Sequence, residues 1–260
     1  MSDGAAPTRY RPGPVSLLWD WLALLWVTVT SASATALFRR LSRPFPVHGE
    51  GAQRLPERAA YVLALNHFSD GATGAVVRAV IDVMSEARPT HVERVLMVGG
   101  RRERARRGAV ARAAARLGAG ISRWFRARWS EHFEVISMEG TRADWGALRR
   151  WQRRANERVS VVFPEGIAGF ELGAIREGAG RWLATMAVPV HPCAVWFDGE
   201  RWNVRIGPAV PWARSKRVHD AQLGIAIARL LPESLQGEWR SDIERWSRVH
   251  NERPSSEAGA

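Results

Sequence analysis

Short apolar runs that read as strands alternate with longer helix-forming stretches through most of this chain, and few folds accept that alternation. The strand-like runs cover residues 44–50, 61–65, 92–98, 133–138, 159–163, 188–197 and 202–206. Between and after them, residues 75–86, 144–158, 177–187 and 218–246 carry helical patterning, the last with a break at Pro232. Parallel strands need long crossovers, and helices supply them. The expected fold is therefore α/β, a mostly parallel sheet flanked by helices on both faces. With 260 residues and 46% apolar content, the chain can bury the core of one ordinary domain. The expected organisation is a disordered lead over 1–14, a hydrophobic helix over 15–43, the α/β domain over 44–250 and a flexible tail over 251–260.

Two polar segments about a hundred residues apart stand directly after strand-like runs. The first is Asn66-His67-Phe68-Ser69-Asp70, and the second is Phe163-Pro164-Glu165-Gly166. In α/β sheets, ligands gather at the carboxyl ends of strands, so both segments are placed to converge on a cleft. One brings an imidazole with a carboxylate three residues on, and the other a carboxylate beside a glycine turn. Together they can activate a hydroxyl. Asp70 also suits the N-cap of the following helix, a role that needs no chemistry.

The charge narrows the partners. A net charge of +12 and a pI near 11.4 point to an anionic surface or substrate: lipid headgroups, nucleic acid or a phosphorylated small molecule. Residues 101–129 hold ten arginines against the single acid Glu103, with Ile121, Trp124 and Phe125 at helical spacing. That pattern reads as a basic helix for an anionic membrane surface, and it is also compatible with nucleic acid. Residues 15–38 contain one charge, Asp20, and as a helix would run roughly 36 Å, enough to span a bilayer or lie in its interface. Arg39, Arg40 and Arg43 follow and favour the cytoplasmic side for that end. Several of the 13 tryptophans cluster in these two regions, as tryptophan does at membrane interfaces. Cys193 is the only cysteine and lies in an apolar run, which excludes a disulfide framework and a cysteine zinc site.

With these motifs in place, the chain resembles the PlsC-like glycerolipid acyltransferases of the 1-acylglycerol-3-phosphate type. Asn66, His67 and Asp70 resemble the family's first motif, and Phe163, Pro164, Glu165 and Gly166 match its third. Arg176 with Gly178-Ala179 is similar to its basic residue and Gly-Ala pair. Val188-Pro189-Val190-His191-Pro192 is similar to its fourth motif. The resemblance covers roughly residues 45–210 and includes a hydrophobic segment ahead of the domain. Three departures stand out. Two residues separate His67 from Asp70 where the family has four. Ile167-Ala168 follows Gly166 where the family has Thr-Arg. Glu139 stands where the second motif ends in arginine, with Arg142 three residues later.

The resemblance implies transfer of a fatty acyl group from a coenzyme A or acyl carrier protein thioester to a hydroxyl of a lyso-lipid. His67 would be the general base and Asp70 would hold its tautomer. Asn66, Phe163, Pro164, Glu165 and Gly166 would bind substrate, with Glu165 accepting a hydrogen bond from the acceptor. Arg142 or Arg176 would take the acceptor's phosphate if it has one. No metal and no cofactor beyond the thioester are expected, nor is a covalent acyl-enzyme. The expected location is the cytoplasmic face of the inner membrane. Two other readings remain: a relative that binds lipid or acyl thioester without turnover, and a basic nucleic-acid-binding protein.

Overall fold

A computed structural model describes residues 6–11, 13, 22, 46–68, 73–93, 95–102, 133–139, 142–143 and 145–251. The chain enters on β1 (Val47–Glu50) and a 3-10 turn, Ala52–Arg54, then forms β2 (Tyr61–Leu65). Helix α1 (Thr73–Ala87) and the one-turn α2 (Pro89–Val92) lead to β3 (Val95–Arg102). Next come β4 (Phe133–Glu139), β5 (Arg142–Ala143), α3 (Trp145–Ala155), β6 (Val159–Val162), α4 (Ala179–Leu183), β7 (Val190–Phe197) and β8 (Trp202–Ile206). Helices α5 (His219–Ala228) and α6 (Arg240–Asn251) close the described chain.

The strands form one sheet in the order β1-β8-β7-β2-β6-β3-β4-β5. The run β7-β2-β6-β3-β4 is parallel throughout, while β8 opposes β7 and β5 opposes β4. The link between β7 and β8 is too short for a crossover, so that pair is a hairpin. β1 then lies parallel to β8, and the sheet is mixed but mostly parallel, as the strand–helix alternation predicts.

Central strands with both faces covered read as unbroken apolar runs, and β2 does, while β7 is broken only by His191. Every residue of both is buried. Pro192 sits inside β7 at the end of its pairing with β8. Its carbonyl accepts Gly207 N–H at 2.8 Å, next to the last ladder pair, Cys193 with Ile206. The return bond that a proline cannot donate to Gly207 O is replaced by His191 Nδ1, 3.0 Å from that carbonyl. α1 turns Ala75, Val76, Ala79, Val80, Val83 and Met84 into the core. α3 buries only Ala147, Trp151 and Ala155, an i, i+4, i+8 stripe, with Trp151 packed on Trp182 at 4.3 Å.

Several expectations need correction. The helix expected from residue 101 does not begin there: Arg101 and Arg102 extend β3 and pair with Ser137 and Met138 of β4. Residues 103–132 lie outside the described residues. The strand expected from residue 92 begins at Val95, because Pro89 at the first helical turn starts α2 instead. The lead over 1–14 is ordered where it is described. Thr8 donates its backbone N–H to Phe197 O at 2.8 Å, and Tyr10 is buried edge-on against Phe197 and Trp202. One buried aromatic ring removes enough apolar area from water to offset ordering a few residues.

Of the hydrophobic segment 15–43 only Leu22 is described, so the expected N-terminal helix lies outside the described residues. Among the described residues no helix is long and apolar enough to cross a membrane. Cys193 is fully buried in β7, and burial pushes its thiol far above the usual range. It behaves as a small apolar core residue.

Candidate active site

β2 and β6 are neighbours in parallel register, Tyr61 opposite Val159 through Ala64 opposite Val162. Their carboxyl ends therefore coincide about 4.8 Å apart, and the two polar segments emerge side by side. Packing then interlocks them. His67 donates its backbone N–H to Glu165 Oε1 at 2.6 Å. The His67 carbonyl accepts Gly169 N–H at 2.9 Å, and Phe68 bridges to Gly169. The imidazole lies nearly parallel to the Phe163 ring, 28° between planes and 4.4 Å between centroids. Segments some hundred residues apart thus hold one histidine from both sides of its backbone and across one face of its ring.

Glu165 is the bracket. It is 7% exposed, and its second oxygen accepts Gly173 N–H at 2.7 Å. Burial pushes its carboxyl up to about 7, and the two backbone N–H bonds pull the other way without prevailing. Glu165, expected to bind the acceptor's hydroxyl, meets a backbone N–H with each of its oxygens here and so fixes the loops. Gly173 is in turn held from behind, its carbonyl accepting the Trp239 indole N–H at 2.9 Å.

Asn66 also meets backbone. Expected beside the substrate, it is 3% exposed and spends its amide on one residue of β7. Nδ2 donates to Val195 O at 2.9 Å, and Oδ1 accepts Val195 N–H at 2.7 Å. The side chain continues the β2–β7 ladder past the end of β2. Asn66→Ala is expected to lower stability by roughly 2–4 kcal/mol, since it strands two buried backbone groups. Chemical denaturation checks this, with an unchanged midpoint counting against the brace.

Of the remaining expected residues, Phe163 is the half-buried face under the imidazole, and Pro164 is buried with its carbonyl accepting Arg176 N–H at 3.0 Å. Gly166 turns the chain at φ 69°, a left-handed conformation that favours glycine, and its N–H closes the turn on Phe163 O at 3.1 Å. Arg176 comes to this turn: its Nη1 lies 3.7 Å from where a Cβ on Gly166 would stand. Arg142 lies on β5, three strand positions from β6. Asp70 lies outside the described residues. Ile167, where the resembled family has threonine, is 57% exposed beside the turn.

The fourth motif is structural at its histidine. His191 is 3% exposed, its Nδ1 lies 3.0 Å from Gly207 O, and burial holds its basicity below the usual imidazole range. Since a carbonyl only accepts, Nδ1 carries the proton. Among the described residues no three His, Cys, Asp or Glu side chains converge as metal ligands.

Two contributors escaped the sequence reading. Asp220 gathers the N–H groups of Gly178 (2.8 Å), Gly180 (2.7 Å) and Arg181 (3.3 Å) at the start of α4. Gly180 permits that approach, because a Cβ there would stand 2.4 Å from His219 O. The second is Thr73, the first residue of α1, whose Oγ1 lies 2.8 Å from His67 Nε2. The only sequence signal was a hydroxyl residue just ahead of an apolar helical run, which marks helix starts in general.

No protein-family model matches this chain, and no curated protein matches its sequence. Among solved structures, the chain is similar to the crystal structure of PlsC, the 1-acyl-sn-glycerophosphate (LPA) acyltransferase of Thermotoga maritima, with 15% identity over 86% of this chain and 88% of that one and a TM-score of 0.46.

Proposed function

We propose that this chain is an O-acyltransferase that moves a fatty acyl group from a coenzyme A or acyl carrier protein thioester to a hydroxyl of a glycerolipid or other lyso-lipid. The observation that carries this reading is the interlock of the two motifs. Glu165 grips the His67 backbone, Phe163 supports its ring, and Arg176 reaches the adjoining turn. These are the motif residues of the resembled family, and they meet in one place at the carboxyl ends of two adjacent strands. In the reaction, His67 takes the proton of the acceptor hydroxyl as its oxygen attacks the thioester carbonyl. The carbon–sulfur bond breaks, and the thiolate leaves with the proton that the imidazolium returns.

Arg176 is the acceptor-phosphate residue in this reading. A guanidinium holds phosphate through paired charge-assisted bonds that a neutral amide cannot supply. Arg176→Gln is expected to raise KM for a phosphorylated acceptor by about 10–100-fold and to leave an unphosphorylated one within about twofold. Equal losses on both acceptors would remove Arg176 from phosphate binding. Membrane attachment belongs to the proposal through residues 15–43 and 101–128, on the cytoplasmic face. Flotation with anionic and with neutral vesicles tests it, and binding to neither overturns it.

The deciding experiment is a mass-spectrometric search for acylated product. Detergent-purified protein receives acyl-CoA or acyl carrier protein thioesters and a panel of lyso-lipids. Product that depends on His67 supports the reading. Folded protein that binds acyl thioester with no turnover favours the non-catalytic relative.

A further inference from the structure

Resting on that reading, we propose that Thr73 relays the acceptor's proton to His67. The Thr73 hydroxyl already occupies the hydrogen-bonding position at Nε2, 2.8 Å away. The other ring nitrogen, Nδ1, is buried, which leaves Nε2 as the nitrogen through which a proton can arrive. An imidazole nitrogen has one in-plane direction for a proton. With Thr73 on it, a substrate hydroxyl reaches the base only through the Thr73 oxygen. A hydroxyl suits that position because it donates one proton while keeping two lone pairs to accept another. Thr73 is well held for the task. Its branched side chain has few rotamers, and it starts a 15-residue helix anchored in the core.

Thr73 is only partly buried, the following Gly74 is exposed, and no described atom lies within 4 Å of where a Cβ on Gly74 would stand. In this relay the acceptor meets Thr73 Oγ1 first, with Nε2 behind it at 2.8 Å. The transfer balances. The acceptor's proton passes to Thr73 Oγ1 as the hydroxyl's own proton passes to Nε2, and the acceptor oxygen bonds the carbonyl carbon. The thiolate then leaves with the proton returned from the imidazolium along the same path.

The test uses the full chain, acyl-CoA and the lyso-lipid acceptor that wild type consumes fastest. Thr73→Val keeps the shape and removes the hydroxyl, and Thr73→Ser keeps the hydroxyl. Thr73→Ala replaces the valine variant if that one does not fold. The valine variant is expected to lose about 100-fold in kcat with KM within about threefold, while serine stays within about fivefold of wild type. The solvent-isotope proton inventory should bow for wild type and straighten for valine, a change that a purely structural hydroxyl would not produce. Valine turnover within about threefold of wild type would mean that the acceptor displaces Thr73 and meets His67 directly, overturning the relay. An acyl adduct on Thr73 after incubation with acyl-CoA alone also overturns it, by making Thr73 a nucleophile. Absence of wild-type turnover with every donor and acceptor removes the acyltransferase reading and the relay together, an outcome distinct from the other two.

Discussion

His67→Ala is expected to reduce kcat/KM for acyl transfer by about 10³-fold, the middle of the range for losing a positioned general base. A hydroxyl is almost wholly protonated near neutral pH, so its attack on a thioester stalls without a group to take the proton. The fold should survive, because the contacts that lock the two loops run through the His67 backbone: N–H to Glu165 and carbonyl to Gly169. Alanine keeps both. What disappears is the ring, with its stacking on Phe163 and its contact with Thr73. That loss is worth about 1–2 kcal/mol of stability. A folded His67→Ala protein with near-normal turnover would end the general-base assignment.

Glu165→Gln is expected to be the second most damaging change, for a different reason. A carboxylate presents two acceptors to two backbone N–H groups, His67 on one side and Gly173 on the other. A carboxamide presents one acceptor and one donor. In either orientation its NH2 faces a buried N–H, a mismatch of about 1–3 kcal/mol. The loop that carries His67 loosens with it. A displacement of about 1 Å in a reacting group costs on the order of 10²-fold, so turnover should fall by that amount while the thermal midpoint also drops.

Glu165 also gives the variant a pH signature. Its carboxyl is raised from 4.5 to about 7 in the folded chain, chiefly by burial. The folded state therefore holds a proton that the unfolded state has released between those values. The stability linked to this group is fully present below about pH 4.5 and is lost as pH rises through about 7, a change of about 3 kcal/mol. Glutamine has no such term, so the gap between wild type and Glu165→Gln should narrow as pH rises from 5 to 8. Denaturation at several pH values measures it, and a gap that widens with pH would mean that the carboxyl is not raised.

Both predictions depend on partners with different degrees of legibility. Two strands were plain in the chain: residues 61–65 and 202–206 form strands with the bounds their apolar runs predict, because a buried strand of that length has little freedom in where it ends. The site's address followed from placing polar segments after such runs. The roles of Asn66 and Glu165 did not follow. Each is polar, each sits in a motif, and each reads as a substrate ligand. Whether a polar side chain meets ligand or backbone depends on which unpaired N–H and C=O groups lie beside it. For Asn66 those belong to Val195, 129 positions away. The order over 8–10 was equally hidden, since it rests on Phe197 and Trp202 packing against Tyr10.

The sequence by itself determined the fold class and placed two polar motifs, one of them around His67, at the carboxyl ends of strands. Those are consequences of local pattern, since apolar periodicity sets element type and strand ends set where polar groups can stand. Only the tertiary structure decided that Asn66 and Glu165 brace the loops, that Arg176 reaches the turn, and that Thr73 meets His67 Nε2. Such assignments depend on distances of about 3 Å between groups far apart in the chain, and hydrogen bonding discriminates at that scale. Strand register, helix phase and loop closure must all act before those distances exist.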